Sequence, residues 1–438
     1  MPVPELKENP SPLRYIFLFW LPLAAMWLFM GLETPIINAC IARMPMAKEN
    51  LAAYGVTFSI TVLIESPIIQ MLTTGTALAA DRKRYRQLIR FMHVMALILT
   101  ALHLVLAMPS VYRFAVSRVM GIPEDIMELS RIPFLFLAPF HAAVGYRRLW
   151  QGVLIRYGKT REVTYIMIIR FISTVAILLA GFLFTHLNAA LLGALSLSAG
   201  VLMGACSAGF FTLPIVKRLP EDERGVSVLR LKDLLRFYIP LLLTSLILMA
   251  SRPILAAGIS RGTLPLESLA VWPVIEGFVF VFRSLSMSYQ EVVVALMNRK
   301  SMAGLLRRFA IFLAGGVGLL YLITAGTPLS RIWFQHVAGL DSELLPMALI
   351  PFLLALPVPV LSGPVALYRG ILVHRGNTGT IAGAVIINSL SLAFFIFAGV
   401  AWLPYSGALI AAGALSLSLL IESIFLRIRV GTLPGALC

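Results

Sequence analysis

Charge is what this chain has least of. Only 13% of its 438 residues are Asp, Glu, Lys or Arg, against roughly 25% in a soluble domain. There are five aspartates, at positions 81, 125, 222, 233 and 341, and none lies inside a long apolar run. That excludes an intramembrane aspartyl protease, which needs two buried aspartates. The three cysteines, Cys40, Cys206 and Cys438, lie far apart without metal-ligand spacing, so neither a disulfide framework nor a thiolate metal centre is expected. The six histidines are scattered, and neither H-E-x-x-H nor G-x-S-x-G occurs. His141 reads as a packed residue. Gly152-Val-Leu-Ile-Arg-Tyr-Gly158-Lys159-Thr160 resembles a phosphate loop, but it has five residues between its glycines where the motif has four. No catalytic residue, metal or cofactor is therefore expected. No ATPase domain is visible either, so any energy comes from an ion gradient or from the cargo's own gradient.

Apolar residues are abundant: 59% of the chain is hydrophobic and the mean hydropathy is +0.90. Several apolar runs reach the roughly 20 residues a helix needs to cross the hydrocarbon. Alternating barrel-type strands are absent, so the spans read as helices. Twelve are expected, near 15–42, 51–80, 88–108, 132–155, 162–186, 190–216, 236–260, 267–297, 305–327, 344–373, 379–402 and 405–427. The first reads as a retained helix, since no A-x-A exit follows it. The net charge of +16 does not point to nucleic acid. Basic residues cluster on alternate loops, among them Lys83 with Arg84 and Arg86, Lys159 with Arg161, and Lys217 with Arg218. That is the positive-inside pattern, and it predicts a multi-pass protein of the cell (inner or plasma) membrane with both termini in the cytoplasm.

The sequence also contains itself twice, offset by 218 residues. Pro22 falls on Pro240, Pro35 on Pro253, and Leu51-Ala52-Ala53-Tyr54 on Leu269-Ala270-Val271-Trp272. Ile132-Pro133-Phe134-Leu135 falls on Ile350-Pro351-Phe352-Leu353, Gly145 on Gly363, and Gly152 on Gly370. Six spans per half is an even number, so both halves enter from the same side and the repeat is parallel. The expected division is a tail over 1–14, an N-lobe over 15–216, a linker over 217–235, a C-lobe over 236–427 and a tail over 428–438. The stretch Leu229–Arg236 reads as a short amphipathic interfacial helix. Prolines at 22, 35, 240, 253, 351, 357, 359 and 364 mark bends, either packing kinks or hinges beside a water-filled cavity.

Against this apolar background the ionisable residues within spans stand out. They are Glu33, Glu65, Arg147, Arg148, Arg170, Arg252, Glu276, Arg283 and Glu291. A charge at mid-bilayer costs roughly 2.5–3.5 kcal/mol on insertion scales, so each should face a partner or a cavity. Glu65 and Arg283 occupy the same position in the two halves, and Glu33 lies one residue from the equivalent of Arg252. Glu65, Arg283, Glu276 and Glu291 are therefore candidate gating or coupling residues, either as a salt bridge holding one state or as an ion site. Arg147 and Arg148 either line the cavity or snorkel to the interface. Arg170 has Asn388 as its equivalent and reads as a cavity residue. Five arginines against four glutamates favour an anionic cargo, because the guanidinium fork suits carboxylate and phosphate.

Leu51-Ala-Ala-Tyr-Gly55, Ser59, Pro67 and Gly75 before the basic loop at 81–86 resemble the second helix of the progressive ankylosis (ANK-type) transporters. Pro22-Leu23 with Asn38, Ser251-Arg252-Pro253-Ile254, and Pro357-Val-Pro-Val360 add to the resemblance, which runs over nearly the whole chain. It implies an all-α membrane protein with twelve helices in two six-helix lobes, related to the MATE-like exporters. It also implies export of small polyanions such as pyrophosphate, nucleotides or citrate-like acids. Asn38 and Arg252 carry over as substrate-binding candidates, joining Glu33, Glu65, Arg147, Arg148, Arg170 and Arg283. The expected partners are a small anion and the bilayer, with H+ or Na+ open as coupling ion, no nucleic acid, and a monomer. The alternatives are a drug or cation antiporter or lipid-linked saccharide flippase of the same fold, and a membrane scaffold that transports nothing.

Overall fold

An apolar chain in hydrocarbon must satisfy every backbone N–H and C=O internally, and this one does so with helices. The computed structural model describes residues 12–157, 159–221, 230–297, 302–375 and 377–432. The first half forms α1 (Pro12–Ile41), α2 (Ala47–Ile69), α3 (Met71–Leu78), α4 (Arg82–Leu106), α5 (Pro109–Arg113), α6 (Glu124–Phe136), α7 (Ala138–Arg156), α8 (Thr160–Phe184) and α9 (Ala189–Arg218). The second forms α10 (Leu231–Ile259), α11 (Pro265–Met287), α12 (Tyr289–Leu296), α13 (Met302–Gly326), α14 (Pro328–Arg331), α15 (Leu345–Leu354), α16 (Pro357–His374), α17 (Thr378–Trp402) and α18 (Gly407–Gly431). No strand is formed among the described residues beyond a single bridge between Thr263 and Ser406. Ten stretches among these residues are long and apolar enough to span a membrane. The 30-residue α1 and the α6–α7 pair bring the number to twelve.

The duplication is legible in the backbone to the residue. α11, α12 and α17 start and stop 218 positions after α2, α3 and α8. Each half has a π-helical turn at the same place, Phe114–Val119 and Ile332–Val337. Among the described residues, positive φ angles also come in pairs at this offset: Met46 (54°) with Leu264 (51°), and Gly121 (74°) with Gly339 (75°). Pro139 and Pro357 stand in the first turns of α7 and α16, just after the breaks that separate them from α6 and α15, where a missing N–H costs no intrahelical hydrogen bond. Pro67 lacks the N–H that would bond the Leu63 carbonyl, and the Ser66 hydroxyl donates to that carbonyl instead at 2.7 Å.

By contacts the chain divides into two compact units along a different line from the repeat. One unit runs from Met44 to Ala257, taking in α2 to α9 and nearly all of α10; the other joins α1 to the chain from Gly258 onward. The first helix of each half thus packs with the helices of the other half. Close approach explains the seat of α1 on α11. A Cβ on Gly31 would lie 3.4 Å from Phe280, and one on Gly277 would lie 3.4 Å from Pro35. The Trp20 indole donates to the Leu285 carbonyl at 3.0 Å, and the Asn38 amide donates to the Pro273 carbonyl at 2.9 Å. In the other unit, Tyr238 of α10 donates its hydroxyl to the Pro67 carbonyl and sets its ring edge-on to Phe91. Gln70, in the break between α2 and α3, donates to Ser245 at 2.5 Å. α10 starts at Leu231 and continues unbroken to Ile259. Residues 231–236 are therefore its first turns and not a separate interfacial helix, since no Gly or Pro interrupts the chain before Pro240. The rest of the expected linker, over 222–229, and the tails over 1–11 and 433–438 lie outside the described residues.

The tightest helix contacts rest on glycine, as in other membrane bundles. A Cβ on Gly152 of α7 would lie 2.4 Å from the Leu72 carbonyl oxygen and 2.9 Å from the Thr76 nitrogen, both backbone atoms of α3. Its repeat equivalent Gly370 would meet Val293 of α12 at 2.7 Å. Gly315 of α13 has nothing within 4 Å. Gly152→Ala should therefore destabilise the protein by about 1–3 kcal/mol, the usual cost of overpacking, whereas Gly315→Ala should be neutral or slightly stabilising. Thermal unfolding of the two variants in detergent checks this.

Candidate functional site

The unit from Met44 to Ala257 gathers the unusual charges. Glu65 on α2 is 7% exposed, and Arg147 on α7 and Arg170 on α8 are 3% and 8% exposed. Arg148 on α7 and Arg252 on α10 are half-buried. The charges acting on the Glu65 carboxylate are those of Arg148, Arg147, Arg170 and Arg252. One carboxylate thus shares its surroundings with four guanidinium groups from three other helices.

Small residues on α9 make room for the arginine stems. A Cβ at Gly204 would stand 3.2 Å from Arg147 Cδ and 3.3 Å from Arg170 Cβ, and one at Gly200 would collide with Thr174, one turn beyond Arg170. Gly200 and Gly204 are four residues apart on one helix face, the small-residue spacing that lets membrane helices approach closely. Arg147 Nη1 points at the Met167 sulfur at 3.3 Å, and the Gln151 amide points at the same sulfur at 3.6 Å. The Arg252 guanidinium sits 5.2 Å from the centre of the Phe58 ring. That is a cation–π contact, two helical turns along α2 from Glu65. Arg148 Nε is buried without a hydrogen-bond partner among the described residues.

None of these five charges recurs at its repeat position. The equivalents of Glu65, Arg147, Arg148 and Arg170 are Arg283, Val365, Ala366 and Asn388, and Arg252 is the equivalent of Thr34. The duplication keeps the ends of α2, α3 and α8 to the residue in α11, α12 and α17 and departs at the charges.

The other unit holds the remaining candidates. Glu33 on α1 is 7% exposed; Glu276 and Arg283 on α11 are half-buried, and Glu291 on α12 is exposed. Asn38 is fully buried, and its Oδ1 has no partner among the described residues. Glu65 and Arg283 belong to different units.

Sequence reasoning missed an ion pair here. Arg369 of α16 donates to Glu422 of α18, which is 2% exposed. The census of five arginines and four glutamates is therefore short by one of each. Glu422 lies five residues before the basic cluster at Arg427, and Arg369 five before His374 and the Arg375 loop, so both read as helix ends. The signal was available: Arg369 is the repeat equivalent of Gln151, already polar. A buried histidine pair was missed as well. His103 Nε2 lies 2.6 Å from the Phe134 carbonyl and its Nδ1 lies 2.7 Å from His141 Nε2. The carbonyl can only accept, so His103 donates to it from Nε2, and His141 donates to His103. This assigns the packed role expected for His141 to both rings.

The progressive ankylosis protein (ANKH) family model matches residues 7–271. The chain belongs to this family. It also resembles solved transporters of the MOP superfamily. A multidrug-resistance MATE transporter in its inward-facing conformation aligns with a TM-score of 0.72 at 15% identity, covering 93% of this chain and 98% of that one. The lipid II flippase MurJ, inward closed, aligns at 0.66 and 16%, covering 95% and 88%. A MOP transporter from Pyrococcus furiosus, described as having a binding pocket of reverse polarity that suggests a different function, aligns at 0.59 and 15%, covering 96% of both chains. The fold is thus the two-lobe, twelve-helix fold of the MATE transporters, and the progressive ankylosis family member described here is a multi-pass membrane protein.

Removing one partner of a buried ion pair strands the other and costs about 3–5 kcal/mol, whereas replacing both by apolar groups is often neutral. Glu422→Leu should lower thermal stability sharply, and adding Arg369→Leu should restore most of the loss. Unfolding of the single and double variants in detergent measures both effects.

Proposed function

We propose that this protein exports small polyanions, of the pyrophosphate, nucleotide or citrate class, by alternating access of its two lobes. The observation that carries the reading is the cluster of Arg147, Arg148, Arg170 and Arg252 around the single acid Glu65. Arginine outnumbers acid among the charges that act on one another there, a setting that favours an anion with two or three negative charges over a cation. Arginine suits the task because its planar fork binds carboxylate and phosphate oxygens in pairs. Family membership favours the same cargo class, as the resemblance to the ANK-type transporters implied.

The charge pattern also argues against a cation or drug antiporter, whose cavity would expose acids and aromatics. The MATE and MurJ structures show that this fold accommodates other cargoes, so the preference rests on the arginines and not on the fold. The Pyrococcus furiosus transporter is described as having a binding pocket whose reverse polarity suggests a different function, and the arginines here are read in the same sense. The remaining assignments are a monomer in the cell membrane with the basic loops and both termini in the cytoplasm, and H+ or Na+ as coupling ion. Asn38, Glu33 and Arg283 are kept as substrate-binding candidates, and Glu276 and Glu291 as gating candidates.

Flux through proteoliposomes tests the proposal. Labelled pyrophosphate, citrate and ATP should move, and tetraphenylphosphonium should not. Arg252→Ala should weaken anion binding by roughly ten- to a hundredfold, the equivalent of one charge-assisted hydrogen bond at about 1.5–3 kcal/mol. Binding should also weaken with salt, though less than at an exposed site. Tight calorimetric binding of the organic cation with none of the anions overturns the reading and favours the antiporter; no flux of any solute through folded protein favours the scaffold.

A further inference from the structure

One face of α4 changes character partway along the helix. It starts with Lys83, Arg86 and Arg90 and goes on with Val94, Leu97 and Ile98, all of them exposed. Spacings of three and four residues put these six side chains on one ridge. The opposite ridge, from Leu88 through Met92 and Ala96 to Leu99, is buried in the bundle. The exposed ridge is therefore the one turned to lipid, basic over its first turns and apolar beyond. Lys83 to Arg90 covers seven residues, about 10 Å of helix, which is enough to run through the headgroup layer at the end of a span.

α10 repeats the pattern next to it. Lys232 and Arg236 are exposed, followed on the same ridge by exposed Ile239 and Leu243. The two helices meet where Phe91 and Tyr238 set their rings edge-on, with centroids 5.0 Å apart. Arg90 stands one residue before Phe91 and Arg236 two before Tyr238, so the two arginines lie at similar depth on neighbouring helices. α4 contains no acid, and α10 contains only Asp233.

Other basic residues at this end have work within the protein. Arg84 pairs with Asp81, the N-cap of α4, at 3.6 Å, and Arg156 donates to the Thr76 and Ala77 carbonyls at 3.1 and 3.0 Å. Arg86, Arg90, Lys232 and Arg236 make no hydrogen bond or ion pair among the described residues. The repeat shows that the frame does not require them. The equivalents of Lys83, Arg86, Arg90, Lys232 and Arg236 are Ser301, Gly304, Arg308, Arg14 and Leu18, so five basic residues correspond to two. Packing does not explain the difference at Gly304, where a Cβ would meet nothing within 4 Å. A basic loop that only sets orientation needs no such stripe, running into the span on one half and thinned on the other.

We propose that the α4–α10 face is a docking surface for an anionic phospholipid. Its headgroup phosphate lies on Arg86, Arg90 and Arg236, and its acyl chains lie along the apolar ridges below. The guanidinium fork suits a phosphate diester. Arginines at this depth reach the headgroup layer while their stems stay on apolar surface. Continuity of the basic and apolar ridges selects a lipid over a soluble anion, because a soluble anion would leave Val94, Leu97, Ile239 and Leu243 without a share in binding. The surface is separate from the buried arginines near Glu65, and it stands whatever the cargo is.

Native mass spectrometry of the full chain in detergent counts bound lipids one at a time. Dioleoylphosphatidylglycerol and dioleoylphosphatidylcholine are titrated in separately; their acyl chains are the same and only the first has a net charge. Wild type should bind the first phosphatidylglycerol at least tenfold more tightly than the first phosphatidylcholine. Each basic residue near an anionic headgroup contributes roughly fivefold, so Arg86→Gln with Arg90→Gln should weaken the first phosphatidylglycerol by about tenfold or more. Adding Arg236→Gln should bring it close to phosphatidylcholine. Arg307→Gln with Arg308→Gln, at the same end of α13, should leave it unchanged. Without added lipid the variants should unfold at the wild-type temperature, since the altered side chains are exposed. Should the Arg86 and Arg90 double variant fail to fold, Arg236→Gln alone decides: a loss of about fivefold supports the surface, and no loss overturns it. Equal binding of the two lipids by wild type overturns the proposal. So does an equal loss from the α4 and α13 double variants, which would mean a diffuse attraction to any basic helix end.

Discussion

An ionised side chain inside a bilayer must be compensated, and most of what distinguishes this chain follows from how each unit does so. In the unit built on α1 and the second half, compensation is local: Arg369 meets Glu422 across two packed helices. Removing both charges would change little chemistry there. In the unit from Met44 to Ala257 the charges are arginine-rich, with Arg147, Arg148, Arg170 and Arg252 all acting on the one carboxylate of Glu65. A charge inside a bilayer is costly unless a partner or a cavity meets it, so the two units solve the same problem with different proportions of base and acid.

The scaffold that holds these charges is conservative in the opposite sense. Helix ends, π-helical turns and left-handed residues recur at one offset through both halves. Glycine contacts such as Gly152 on α3 and Gly370 on α12 recur too. These are backbone constraints: a carbonyl left over by proline, a turn that needs positive φ, two helices that approach within a side chain's width. They fix where Cα atoms lie and are indifferent to the charge of the side chains mounted on them. A duplicated frame of this kind can change what it carries in one half without disturbing the packing of the other.

That separation decides what was legible in the sequence. The spans, the repeat, the breaks at Pro139 and Pro357 and the mid-span charges are one-dimensional signals, and they survive reading without coordinates. Which charges meet is not such a signal. The repeat pairs Glu65 with Arg283 by position, while the groups that act on Glu65 within its own unit come from α7, α8 and α10. Nor does sequence order show that α1 packs with the second half and α10 with the first. That depends on where Gly31 and Pro35 meet α11, a contact between residues about 245 positions apart. Arg369 and Glu422 escaped because each lies near a basic helix end, where a charge is ordinarily taken for a snorkelling one. In the fold, Glu422 is buried and paired.

The exchange of first helices gives the arginine cluster a property that the repeat alone would not. Arg252 sits on α10, a helix of the second half in sequence that packs with the first in space, and whose last residues, from Gly258, group with the other unit. It meets the first unit where Tyr238 donates to Pro67 and Gln70 donates to Ser245, among other contacts. Farther along, Arg252 lies over Phe58. Three of the four arginines are thus mounted on helices internal to one unit, and the fourth on a helix that belongs to both. Any motion that changes how α10 lies along α2 would shift Arg252 relative to Glu65 while leaving Arg147, Arg148 and Arg170 in place. The balance between four cations and one acid is then not a fixed property of the unit. It depends on the position of the one helix through which the two units share a continuous backbone.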